Sequence, residues 1–121
     1  MLNIATSGME SLLLEIGSCS GANTDKFEKL ALKACEPGSS SPSSSATASY
    51  GSSFVAIDHP GIVAHLSCCV DEVLDRYDHY IMFCKIEAVH VRDEAWDGRN
   101  LRGSLLSFLG SKQFANIEAT S

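Results

Sequence analysis

The sequence predicts a single α+β domain leaning mainly β, with two N-terminal helices, a strand-rich remainder and a short C-terminal helix. Three observations carry this prediction. Apolar residues recur at helical spacing within residues 1–36. They follow strand alternation from His79 to Val91. A serine-rich break lies between these two regions, with nine serines among the fifteen residues from Ser39 to Ser53. A chain of 121 residues is one domain's worth of sequence and can bury about two thirds of its unfolded surface.

Ser7-Gly8-Met9-Glu10 has the spacing of a capping box, in which the two side chains satisfy each other's backbone N–H groups. Met9, Leu12, Leu13 and Ile16 then form a helical stripe that Gly17 is placed to end. A second helix is expected to open at Asn23 or Thr24, both good caps. Phe27, Leu30, Ala31 and Ala34 would be its apolar face. Asp25 and Glu28 in its first turn and Lys33 in its last suit the helix dipole, and Pro37-Gly38 would stop it. The serine-rich segment, residues 38–53, reads as a flexible loop, because it cannot bury enough apolar surface to offset its ordering entropy.

The apolar run from Ile62 to Val73 and the alternating run from His79 to Val91 read as an antiparallel hairpin, joined at Asp75-Arg76-Tyr77-Asp78. In the second strand, Tyr80, Met82, Cys84, Ile86 and Ala88 are assigned to one face. Ile81, Phe83, Lys85, Glu87, Val89 and Val91 are assigned to the other. With both faces largely apolar, this strand is expected to be central in a sheet or to line a barrel. Asp97-Gly98 marks a turn, and Ser104 to Leu109 reads as a helical turn or two ended by Gly110.

Charge narrows the function. The nine basic and fifteen acidic residues leave a net charge of −6, and the basic ones are dispersed. A phosphate backbone needs clustered Lys and Arg, so neither nucleic acid nor an anionic membrane surface is an expected partner. No segment approaches the roughly 20 apolar residues of a membrane span. No basic stretch leads into an apolar run, so no secretory signal is expected. Five cysteines, Cys19, Cys35, Cys68, Cys69 and Cys84, are an odd count without a CxxC pair. They read as free, buried thiols in a reducing, cytoplasmic setting rather than a disulfide framework. Cys68 and Cys69 are adjacent and would face opposite sides of a strand, and the four histidines lack zinc-finger spacing, so no metal site is expected.

The residue-level chemistry is sparse. Ser18-Cys19-Ser20-Gly21-Ala22-Asn23 precedes a predicted helix start, where exposed N–H groups and Lys26 could accept an anion; the plainer reading is a capped loop. Asp78-His79 sits at the mouth of the hairpin, either as a titrating pair or as a surface turn. His65 and His90 read as satisfied strand histidines, and Trp96 as a loop anchor. Arg92, Arg99 and Arg102 are expected to pair with nearby acids.

Three stretches together carry a family resemblance. Ser20 to Leu30 resembles the "SG-x-x-x-DKFEKLGL" segment of flavin reductase-like proteins, the FMN-binding split-barrel domains, and is nearest the flavoredoxin type. Asp78-His79-Tyr80-Ile81-Met82-Phe83, continuing to Val91, resembles the "GDH-x-x-F-x-G-x-V-x-A-V-x-V" strand. Leu105 to Ala115 is similar to the closing "LL-x-x-GG-x-x-(F/Y)-A" segment. Pro60 to Val70 lies where the family has a "CP-x-x-L-E-C-x-V" strand. The match covers most of residues 2–115, apart from the serine-rich stretch.

The resemblance implies a split β-barrel of Greek-key type, usually a homodimer with FMN near the subunit interface. It also implies hydride transfer from NADH or NADPH to the flavin, with the cofactor carrying the redox chemistry. By position it implies a catalytic His79, and flavin contacts from Ser20, Gly21, Asp25, Lys26 and Phe114. Some positions depart from the pattern. Tyr77 stands where the family has Gly, and Cys84-Lys85 where it often has Gly-Glu. Met1 to Ile4 resembles the end of an interior strand, which suggests a domain lacking its N-terminal strands. The alternative expectation is therefore a truncated, non-enzymatic split-barrel remnant or interaction module without flavin. A thiol redox role for Cys68 or Cys69 is a third reading.

Overall fold

The computed structural model describes residues 1–37 and 56–118. The loop expected at 38–53 lies outside the described residues. Strands dominate the remainder, as the sequence predicts.

The central sheet is antiparallel, in the order β1 (Leu2–Ala5), β4 (Ile62–Arg76), β5 (His79–Val91). The expected hairpin is present: β4 and β5 are joined by Tyr77 and Asp78 alone. Tyr77 adopts φ +57°, a left-handed conformation that a glycine would take without strain. Only the inner end of this hairpin is packed. Ile62, Val63, Ala64 and His65 are buried, while β5 is exposed along most of its length. The expectation of a central second strand is therefore corrected. Among the described residues β5 pairs only with β4 and forms the sheet edge.

Register corrects the face assignment as well. Ser67 pairs with Ala88 but Cys68 with Ile86, which leaves Glu87 as an extra residue in β5. Val70 pairs with Cys84 but Glu72 with Phe83, which leaves Asp71 as an extra residue in β4. Each is a β-bulge, and each resets the alternation. Directly paired residues share a face. One face therefore carries Val91 with Ala64, Val89 with Leu66, Ile86 with Cys68, Cys84 with Val70 and Met82 with Val73, ending at Tyr80 with Asp75. Val89 and Val91 thus join Met82 and Ile86, while Ala88 moves to the opposite face. Strict alternation could not show this, because a bulge leaves no unambiguous mark in sequence.

α1 (Glu10–Gly17) ends where expected. Its capping box does not form. Ser7 instead pairs with Ser104, its N–H donating to the Ser104 carbonyl at 3.1 Å and its hydroxyl oxygen accepting from Ser104 Oγ at 3.2 Å. The Glu10 carboxylate accepts from Gly8 N–H at 2.8 Å. Met9, at the helix start, is buried with Ala5 and Ile62, and Leu12, Leu13, Ile57 and Leu106 pack around them. This is the core.

The second helix is far shorter than expected. α2 covers only Lys26–Lys29 and is capped by Asp25, whose carboxylate accepts from Phe27 N–H (2.9 Å) and Glu28 N–H (3.1 Å). At its end Leu32 N–H reaches the Phe27 carbonyl and Ala31 N–H the Glu28 carbonyl, with Ala31 at φ +50°. That is a Schellman termination with alanine where glycine is usual. The chain then forms β2 (Lys33–Cys35), paired with β3 (Ala56–Asp58). Strand pairing therefore overrides the helical preference of residues 30–34.

The predicted C-terminal helix is a strand. β8 (Leu105–Gly110) pairs with β9 (Gln113–Ile117) across Ser111 and Lys112, both at positive φ (49° and 63°), as a two-residue hairpin turn requires. A bridge from Thr6 to Leu105 ties this hairpin to the end of β1. The Asp97-Gly98 turn is present, between β6 (Trp96–Asp97) and β7 (Asn100–Leu101). The four sheets stay separate among the described residues, and none closes into a barrel.

Candidate functional site

An apolar groove lies between α1 and the β8–β9 hairpin. It has a volume of about 700 Å³. Leu13, Leu14 and Gly17 form its helical wall, Phe108 and Phe114 its strand wall, and Lys112 stands at its rim. Residues 108 and 114 are cross-strand partners, which brings the two rings to 5.3 Å between centroids at 57°. That tilted contact stiffens one wall of the groove.

The Ser20–Lys26 segment forms a separate, shallow cleft of about 540 Å³, lined from Gly21 to Phe27. Ser20 Oγ accepts from Ala22 N–H at 3.2 Å, an ordinary serine turn. The Asp25 carboxylate already occupies the first free N–H groups of α2, so the backbone anion site considered from sequence is filled by the chain itself. Lys26 turns away and donates from Nζ to the Ile16 carbonyl at 2.7 Å, closing the C-terminal end of α1. There its charge complements the helix dipole. Lys26 thereby links this loop to the helix that walls the aromatic groove.

His79 stands apart at the tip of the β4–β5 arm. Its side chain is 76% exposed and its Nδ1 hydrogen-bonds the Asp78 carboxylate. Twelve strand steps of about 3.3 Å put it roughly 40 Å along β5 from Val91. The structure thus brings Gly21, Asp25 and Lys26 together with Ser20 beside them, places Phe114 in the groove, and holds His79 away from both.

A third cluster has no sequence signal. Arg92 follows β5 and reaches across to β3, with Nη1 2.8 Å from the His59 carbonyl and 3.4 Å from Asp58 Oδ1. Its expected acidic partner was a near neighbour in sequence, but the actual one is 34 positions away. Trp96 does anchor its loop, donating from Nε1 to the Val63 carbonyl at 3.3 Å. His65 is fully buried, with Nε2 3.1 Å from the Ile57 carbonyl, so this nitrogen carries the proton. Burial holds its pKa below the ordinary histidine value. Cys35 lies near the same joint, and burial followed by the Asp58 charge pushes its thiol pKa up, away from nucleophilic character.

All five cysteines are free. Only Cys35 is buried; Cys69 and Cys84 are exposed and Cys19 and Cys68 intermediate, which corrects the expectation of buried thiols. The register sets Lys85 opposite Cys69, a neighbour that spacing alone did not place. Among the described residues no group of three or more potential ligands could hold a metal ion, and no helix is long and apolar enough to cross a membrane. The chain matches no family model, no curated protein and no solved structure.

Proposed function

We propose that this chain is a flavin reductase-like domain that binds FMN, with the aromatic groove between α1 and the β8–β9 hairpin receiving the planar ring system. One observation carries this reading. Phe114, singled out by the resemblance, lines the apolar groove and packs on Phe108. The donor chemistry fits such a ligand: apolar walls and an aromatic edge for a flat ring, and a rim cation, Lys112, for a phosphate. Phe108 and Phe114 orient the ring and exclude water from one side. Leu13 and Leu14 close the other side, and Lys26 steadies α1 by holding the Ile16 carbonyl. FMN, when bound, supplies the redox chemistry, with NADH or NADPH as hydride donor.

The test is an absorbance scan after incubation with FMN and desalting. A retained band between about 350 and 500 nm supports the reading. Phe114→Ala should weaken FMN binding about tenfold, by losing roughly 1.5 kcal/mol of ring contact. His79 stands at the exposed tip of the arm, away from the groove, so His79→Ala should leave FMN affinity unchanged. A colourless protein, or one whose FMN titration ignores Phe114→Ala, refutes the groove assignment.

One observation favours a second reading, a non-enzymatic interaction module: most of the exposed large apolar side chains among the described residues lie on the β4–β5 arm, away from the groove. That reading predicts a colourless protein that still associates.

A further inference from the structure

We propose that the cleft bounded by α1, the end of α2, the β3–β4 turn and Arg92 binds a small carboxylate with an apolar body. This cleft is separate from the aromatic groove, and the inference does not depend on flavin binding.

The cleft has a volume of about 650 Å³, in the ordinary range for a small-molecule site. Stretches distant in sequence build it. Leu12 comes from α1, Leu30 and Leu32 from the turn that ends α2, and Lys33 from the start of β2. The His59-Pro60-Gly61-Ile62 turn is closed by Ile62 N–H donating to the His59 carbonyl at 2.9 Å, and it contributes His59. Gly61 N–H donates to His59 Nδ1 at 3.0 Å, which leaves the proton of the neutral imidazole on Nε2. The three leucines therefore supply apolar surface, while Lys33, His59 and Arg92 supply donors.

Arg92 selects the head group. Its side chain is only 11% exposed, and its bonds to the His59 carbonyl and to Asp58 both leave from Nη1. Nε and Nη2 meet no acceptor among the described residues. No side-chain nitrogen there is both sealed from solvent and unpaired, so this edge of the guanidinium opens onto the space Arg92 borders. Two parallel N–H groups on one edge match the two oxygens of a carboxylate. Charge gives the same answer. Asp58 is the one acid that lines the cleft, bonded to Arg92 and opposite Lys33 in the β2–β3 ladder. Lys33 is exposed and makes no ion pair among the described residues. Two cations thus share one carboxylate, and a monoanion restores balance, whereas a cationic ligand would meet like charge. A second cleft also borders Arg92, but there Glu94 matches Arg102 and no leucine contributes. Only the first cleft combines an unbalanced positive charge with an apolar wall, which favours a hydrophobic body on the acid.

The experiment is a titration of the full chain with phenylacetate, without flavin, followed through backbone amide chemical shifts. Saturable shifts are expected at Ala31, Lys33 and Gly61, with a dissociation constant below about 1 mM. Phenylacetamide has the same shape without the charge and should bind about tenfold more weakly. Lys33→Gln replaces an exposed side chain, so folding should persist, and it should weaken phenylacetate about fivefold. Arg92→Lys keeps the charge but loses the fork and should weaken it by more than about tenfold. Should that variant not fold, Lys33→Gln and the amide probe still decide. Added FMN should not displace phenylacetate. The proposal is overturned by the lack of a saturable shift up to about 10 mM, by an amide that binds as tightly as the acid, by unchanged affinity in Lys33→Gln, or by displacement with FMN.

Discussion

Gly61 sits where a single methyl group has nowhere to go. A Cβ built there would lie 2.5 Å from Met9 Cγ and 2.6 Å from Met9 Sδ, with His59 Nδ1 at 3.3 Å. Favourable carbon contacts need about 3.5–4.0 Å, so the Met9 side chain must shift by about 1 Å. It is only 2% exposed and is packed by Ala5, Ile62 and their neighbours, so the shift disturbs the core. Methionine is adaptable, which puts the overpacking cost near 2 kcal/mol. Alanine also narrows the unfolded ensemble, returning about 0.5 kcal/mol and leaving a net loss of about 1.5 kcal/mol for Gly61→Ala. Met9→Ala alone opens a cavity and should cost about 3 kcal/mol. The two changes should not add. Alanine at position 9 has neither Cγ nor Sδ, so the clash is absent and the double variant should be no less stable than Met9→Ala. The coupling is then at least about 1.5 kcal/mol, measurable as shifts in urea midpoint at constant slope. Additivity within about 0.5 kcal/mol, or a neutral Gly61→Ala, would refute the packing argument.

Two further perturbations test the joint and the shortened helix. Burial is the main reason the His65 pKa is lowered; Arg92 and His90 add to it, while the Ile57 carbonyl and Asp58 oppose it. Above pH 6.5 His65 is neutral whether folded or unfolded, and below it only the unfolded chain takes the proton. Stability should therefore fall as pH drops below about 6.5, by up to about 1.4 kcal/mol per unit, until the folded-state pKa is reached. His65→Gln, whose amide can still donate to Ile57, should flatten that slope; an unchanged slope between pH 7.5 and 5 counts against the assignment. Ala31 holds the left-handed Schellman position at φ +50°. Ala31→Gly should raise stability by about 0.5–1 kcal/mol in a denaturant melt, the reverse of the usual cost of glycine. A destabilised variant would mean the position is not left-handed in solution.

The sequence by itself determined the features that local chemistry controls. The long hairpin follows from two β-rich runs around a short polar connection. α1 follows from Met9, Leu12, Leu13 and Ile16 at helical spacing, with Gly17 as its stop. The Asp97-Gly98 turn and the Trp96 anchor were equally legible. Within the candidate site, the grouping of Gly21, Asp25 and Lys26 follows from adjacency, and Phe114 was singled out by motif. What tertiary structure decided was every outcome that depends on a distant partner. Residues 33–35 leave the helical pattern because β3 offers them a ladder. Residues 105–110 become a strand because a two-residue turn returns Phe114 onto Phe108, and a short apolar run carries no period of its own to choose between helix and strand. Arg92 meets Asp58 because its guanidinium, one residue past β5, reaches the end of β3. The bulge at Glu87 moved Val89 and Val91 to a new face, and the one at Asp71 kept Val73 on the side of Val70, since a one-residue slip in pairing reverses every side chain beyond it. Periodicity measures only a segment's internal pattern, whereas face, edge and exposure are set by what that segment pairs and packs against.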